Sequence, residues 1–63
     1  MIKKYRLKNN LSQEELAEKI GISTRHLQRL ERNEENTRVS TFKKIITTLN
    51  IPDDEILKFI KNK

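Results

Sequence analysis

The 63-residue chain has no cysteine, which excludes a disulfide framework, a thiolate nucleophile and any Cys-based metal site. With one histidine, His26, a multi-histidine site is excluded as well. One glycine and one proline are too few for a sheet built on many tight turns. No uninterrupted apolar run exceeds two residues, so no segment reads as a membrane span. The basic start Met1-Ile2-Lys3-Lys4 is followed by no apolar stretch of the kind a signal peptide needs. There is no Gly-rich phosphate loop, no HExxH and no evident catalytic triad. A chain of this length is expected to form one domain over residues 1–63. Such a domain buries only roughly 60% of its unfolded surface, which leaves little room for an enclosed substrate pocket. These absences point to a soluble, cytoplasmic protein that is not an enzyme, with no cofactor, no metal, no small-molecule substrate and no membrane partner.

What is present is charge, and it is segregated. The formal net charge is +5, a sign that attracts polyanions, nucleic acid above all. Residues 1–10 carry Lys3, Lys4, Arg6 and Lys8 and no acid. Residues 11–20 are net acidic through Glu14, Glu15 and Glu18, while residues 21–30 carry Arg25 and Arg29 and again no acid. Different faces of the fold should therefore differ in sign.

Apolar spacing is helical nearly everywhere and predicts an all-α bundle of five short helices. The first spans about residues 2–8 and ends at Asn9-Asn10, where Asn tolerates a left-handed cap. Ser12 with Glu15 three residues later reads as a capping box opening a second helix over about 13–20, and Gly21 closes it. Ser23 caps a third helix over about 24–31, buried through Leu27 and Leu30. Asn33-Glu34-Glu35-Asn36 reads as a polar loop. A fourth helix opens at Thr37 or Arg38 and runs to about Leu49, with Val39, Phe42, Ile45, Ile46 and Leu49 inward; Asn50 stops it. Pro52 suits the first turn of a fifth helix. Asp53, Asp54 and Glu55 complement that helix's start, and Lys58, Lys61 and Lys63 its end.

Within this frame, residues 13–32 form two helices joined by a tight turn at Gly21-Ile22-Ser23. Ala17 is small where a crossing helix must approach, Ile22 plugs the corner, and Leu16, Ile20, Leu27 and Leu30 bury the inner faces. These requirements together define a helix-turn-helix. With Leu27 and Leu30 inward, Arg25 and Arg29 fall on the opposite face, Gln28 beside them and Thr24 at the exposed N-terminal end. Such a helix suits the DNA major groove. Arginine is bidentate to guanine O6 and N7, glutamine to adenine N6 and N7, and Thr24 is placed for a thymine methyl. Thr24, Arg25, Gln28 and Arg29 are therefore the candidate base contacts. Gln13, at the start of the second helix, is a candidate phosphate contact or else a brace for Gln28. Ser23, Arg32, Asn36 and Arg38 complete the candidate phosphate contacts.

The run Leu11-Ser12-Gln13-Glu14-Glu15-Leu16-Ala17-Glu18-Lys19-Ile20-Gly21-Ile22-Ser23 resembles the Cro/C1-type (Xre-like) helix-turn-helix domain of phage repressors and bacterial transcription regulators. The likeness extends from about Ile2 to Leu57. It includes Arg6, the Leu30-Glu31 end of the third helix and the Phe42/Ile45/Leu49 pattern. It implies a compact five-helix, lambda-repressor-like fold in a bacterial or phage-encoded transcriptional regulator. A repressor is the expected mode, bound as a homodimer, at least when on DNA, to double-stranded operator DNA. By position, Thr24, Arg25, Gln28 and Arg29 match the family's base-reading residues, and Gln13 its phosphate-binding glutamine. Arg6 and Glu31 match a pair that forms an internal salt bridge. The loop departs from the pattern: Asn33 stands for a glycine, implying a left-handed turn there that Asn can adopt, and Thr37 stands for a proline. Glu34 and Glu35 put negative charge where a phosphate backbone should pass, so either they point away from DNA or the loop contacts are weaker here.

His26, at the edge between core and outer faces, is expected to be half-buried packing, with a phosphate contact as the other reading. Tyr5, Phe42 and Phe59 read as core rather than as a base-stacking platform. Ile56, Leu57, Phe59 and Ile60 form one apolar stripe on the fifth helix, and Ile56 and Leu57 match positions the family buries. Phe59 and Ile60 either fold back on Ile2 and Leu7 or serve as candidate dimer contacts. The competing functional class is a protein-interaction module on the same fold, such as an antitoxin, or the N-terminal domain of a larger sensor-regulator.

Overall fold

The computed structural model describes residues 1–61; Lys63, expected at the end of the fifth helix, lies outside them. Five α-helices follow in order, α1 Ile2–Lys8, α2 Gln13–Ile20, α3 Thr24–Arg32, α4 Val39–Leu49 and α5 Asp53–Lys61, with a 3₁₀ turn, Glu34–Asn36, between α3 and α4. There is no strand among the described residues. α2 packs on α3 and α4, and α1 packs on α3 and α4. One cluster of buried side chains joins them: Ile2 and Tyr5 of α1, Leu16, Ala17 and Ile20 of α2, Leu27 and Leu30 of α3, Ile45 and Leu49 of α4, and Ile51.

The chain stops and starts where local chemistry allows it. The Ser12 hydroxyl accepts from the Glu15 backbone N–H at 3.0 Å while the Glu15 carboxylate accepts from the Ser12 N–H at 2.9 Å, so two otherwise unpaired donors are satisfied reciprocally. Hydrogen bonding by Ser12 lowers the Glu15 pKa, the backbone N–H contributing most. Gly21 ends α2 at φ 77°, a backbone that favours glycine. The Ser23 hydroxyl caps α3 by accepting from the His26 N–H at 3.0 Å. Asn10 and Asn50 take the left-handed conformation at φ 56° and 53°, closing α1 and α4. Asn9 adds a tether, its side-chain amide donating to the carbonyls of Tyr5 at 2.7 Å and of Leu49 at 3.2 Å. The ends of α1 and α4 are thereby held together.

Several expectations are corrected. Asn33 is not left-handed but lies at φ −143°, because the chain leaves α3 extended and re-enters a 3₁₀ turn instead of looping. α4 begins at Val39, not at Thr37 or Arg38; Arg38 is its extended N-cap, at ψ 148°, while Thr37 Oγ1 donates to the Glu34 carbonyl at 2.8 Å. Val39 is 71% exposed rather than inward, since it sits about 100° around the helix from the line through Ile45 and Leu49. Leu57, expected in the core, is 54% exposed. α5 turns Ile56 and Phe59 inward, which carries Leu57 and Ile60 outward. The Phe59 ring packs on Phe42 with centroids 5.5 Å apart, while Leu7, one of the two residues expected to receive Phe59 and Ile60, is exposed.

Candidate nucleic-acid interface

The turn between α2 and α3 is built as a wedge. Ala17 and Ile20 are buried against α3, Ile22 packs on the core from the corner, and Leu27 and Leu30 face back into it. Fixing Leu27 and Leu30 inward leaves Arg25, Gln28, Arg29 and Arg32 exposed, with Thr24 half-buried in the first turn. Among the described residues, Arg25, Arg29 and Arg32 make no ion pair. The one acid on α3, Glu31, is paired with Arg6.

Glu31 is the hub of the helix-turn-helix. Its Oε2 accepts from Arg6 Nε at 2.7 Å and its Oε1 from Arg6 Nη2 at 3.4 Å. Arg6 Nη1 also donates to the Leu11 carbonyl at 2.9 Å, tying α1 to the segment entering α2. The Arg6 and Glu31 side chains are 8% and 7% exposed, so this is a buried pair. Glu31 Oε1 accepts a further bond from Gln13 Nε2 at 3.0 Å, and Gln13 Oε1 accepts from Gln28 Nε2 at 3.2 Å. A continuous chain of hydrogen bonds thus runs from α1 through the carboxylate and the first residue of α2 to the outer face of α3. Of the two roles expected for Gln13, the structure contains the contact with Gln28.

Two of the open clefts beside α3 gather the remaining candidates. Lys3, Gln13, Gln28, Glu31 and Arg32 line one; His26, Arg29, Leu30, Arg32, Asn33 and Asn36 line the other. Arg32 stands between them. His26 is exposed on this second cleft rather than half-buried. Ser23 is exposed with its hydroxyl engaged as the α3 cap. Arg38 is exposed and lines neither cleft. Lys3 escaped the sequence reading: the basic run at the N-terminus was visible, but only packing brings α1 alongside the start of α2.

The loop acids separate. Glu34 turns back to α1, its carboxylate accepting from the Ile2 backbone N–H at 2.6 Å and from the Met1 ammonium at 3.0 Å. Its negative charge is placed against the positive end of that helix, while Glu35 is exposed. No group of three or more His, Asp or Glu among the described residues is arranged to hold a metal ion. No helix among them is long and apolar enough to cross a membrane. A family model described as helix-turn-helix matches residues 2–56. No curated protein and no solved structure gives a significant match to the chain.

Proposed function

The chain belongs to the Cro/C1-type helix-turn-helix family of DNA-binding regulatory domains, and on that premise we propose that it is a sequence-specific transcriptional repressor reading the major groove with α3. The observation that carries this reading is the polarity of that helix: Arg25, Gln28 and Arg29 face solvent, while Glu31 is turned inward onto Arg6. Long donors projecting from a helix can meet base edges, and the carboxylate that would repel phosphate is paired with Arg6. Thr24, Arg25, Gln28 and Arg29 are the proposed base contacts. Gln13, Ser23, Arg32, Asn36 and Arg38 are the proposed phosphate contacts, with Lys3 and His26 added by their places in the two clefts.

The protein acts by binding alone, in the cytoplasm, and without catalysis. One recognition helix reads few bases, so a homodimer is proposed to hold two half-sites about one DNA turn apart, ~34 Å. The exposed Leu57 and Ile60 on α5 support that assembly, and equally a protein partner on the same face. Selection from a random duplex pool identifies the operator. Arg25→Ala then lowers affinity for the selected site by roughly 1–3 kcal/mol and for random DNA by little. Equal losses on both would reduce Arg25 to a phosphate contact and overturn the base-reading assignment.

A further inference from the structure

Resting on that reading, we infer that Glu31 is a specificity-determining positioning residue: through Gln13 it sets the amide orientation of Gln28 and so selects adenine over guanine. The argument follows donors and acceptors along the chain. Arg6 only donates, and an ionised Glu31 only accepts. The Gln13 group facing Glu31 must therefore be its NH₂, as observed at 3.0 Å. Gln13 then presents its carbonyl oxygen to Gln28, which answers with its own NH₂ at 3.2 Å.

Gln28 is left with one free N–H and a free carbonyl oxygen. Adenine offers in the major groove one acceptor, N7, and one donor, N6–H₂; guanine offers two acceptors, N7 and O6. One donor and one acceptor match adenine. Guanine needs two donors, and one of the two N–H groups of Gln28 is already committed to Gln13. The order of groups at the DNA surface is thus fixed by a carboxylate that itself touches no base.

The same logic makes Glu31→Gln a reversal rather than a simple loss. Arg6 still demands an acceptor, so the new amide turns its oxygen to Arg6 and its NH₂ to Gln13. Gln13 flips, presenting its NH₂ to the Gln28 oxygen, and both N–H groups of Gln28 are freed toward DNA. Gln13→Ala, which leaves the Arg6–Glu31 pair intact, releases Gln28 without reversing it.

The test is selection from a random duplex pool followed by competition binding, using the full chain, at a temperature where circular dichroism shows each variant folded. Gln28→Ala first identifies the base position that Gln28 reads, as the one position where preference is lost. At that position the wild type prefers adenine over guanine by roughly 5- to 150-fold, the range expected of one bidentate contact. Glu31→Gln inverts the preference to guanine, Gln13→Ala lets the two bases approach equality, and the other positions are unchanged. Uniform weakening by Glu31→Gln, with adenine still preferred at that position, overturns the inference while leaving DNA reading intact. So does a guanine preference in the wild type. A wild type that selects no sequence overturns the parent reading instead.

Discussion

Removing Arg6 tests how deeply the helix-turn-helix depends on a buried charge. Arg6 is 7% exposed and spends three N–H groups, two on Glu31 and one on the Leu11 carbonyl. Arg6→Met keeps the aliphatic bulk and removes the cation. Glu31, equally buried, is left as a carboxylate held by the Gln13 Nε2 donor alone among the described residues. Breaking a buried pair in this way costs about 3–5 kcal/mol. A chain of this size has a total stability of roughly 3–9 kcal/mol, so the variant stands at the edge of unfolding at 25 °C. Replacing both partners, Arg6→Met with Glu31→Met, removes the orphaned charge. What then remains lost is a donor for the Leu11 carbonyl and an acceptor for Gln13, about 1 kcal/mol each. The double variant should therefore be more stable than the single one and lie about 1–2 kcal/mol below wild type. Urea denaturation at neutral pH, followed by circular dichroism with the slope checked for two-state behaviour, measures all three. A loss under about 1 kcal/mol for Arg6→Met, or a double variant no more stable than the single, would refute the view that this pair is sequestered from water.

Two further outcomes are expected. The Glu15 carboxyl titrates below its ordinary value because Ser12 hydrogen-bonds its charged form. Its contribution is present above the unfolded value of 4.5 and lost as pH falls through the lower folded value. Glu15→Gln should flatten that part of the acid limb of Tm against pH, and an unchanged limb would count against the capping box. At the other end of the chain, Ile60→Glu should leave the monomer folded, since Ile60 is 55% exposed, yet lower operator affinity and cooperativity. Phe59→Glu would instead disturb the packing of Phe59 on Phe42. Sedimentation showing one protomer per palindromic operator at saturating protein would sink the dimer.

The sequence by itself determined what depends on neighbours in the chain. Helix boundaries from α1 to α3 were legible because Ser12 with Glu15, Gly21 and Ser23 act within a turn of themselves, and caps are local hydrogen bonds. The core of the helix-turn-helix was legible because Leu16, Ala17, Ile20, Leu27 and Leu30 recur at the helical period. The outward place of Arg25, Gln28 and Arg29 follows from the same period. What the tertiary structure decided is everything that depends on which face a second element covers. Periodicity marks Val39 and Leu57 as apolar, yet both stay exposed because no element of the described chain covers their side of α4 and α5. His26 sits at the edge of the apolar face of α3, and only the packed fold leaves that edge exposed. Glu34 looks like a charge in the path of DNA, but its carboxylate turns back to cap α1, a partner 32 residues distant. The chain from Arg6 through Glu31 and Gln13 to Gln28 joins three helices across a sequence separation of up to 25 residues. Each member was visible as a residue type, but the direction of every amide in it is set by donors and acceptors that only folding brings within reach.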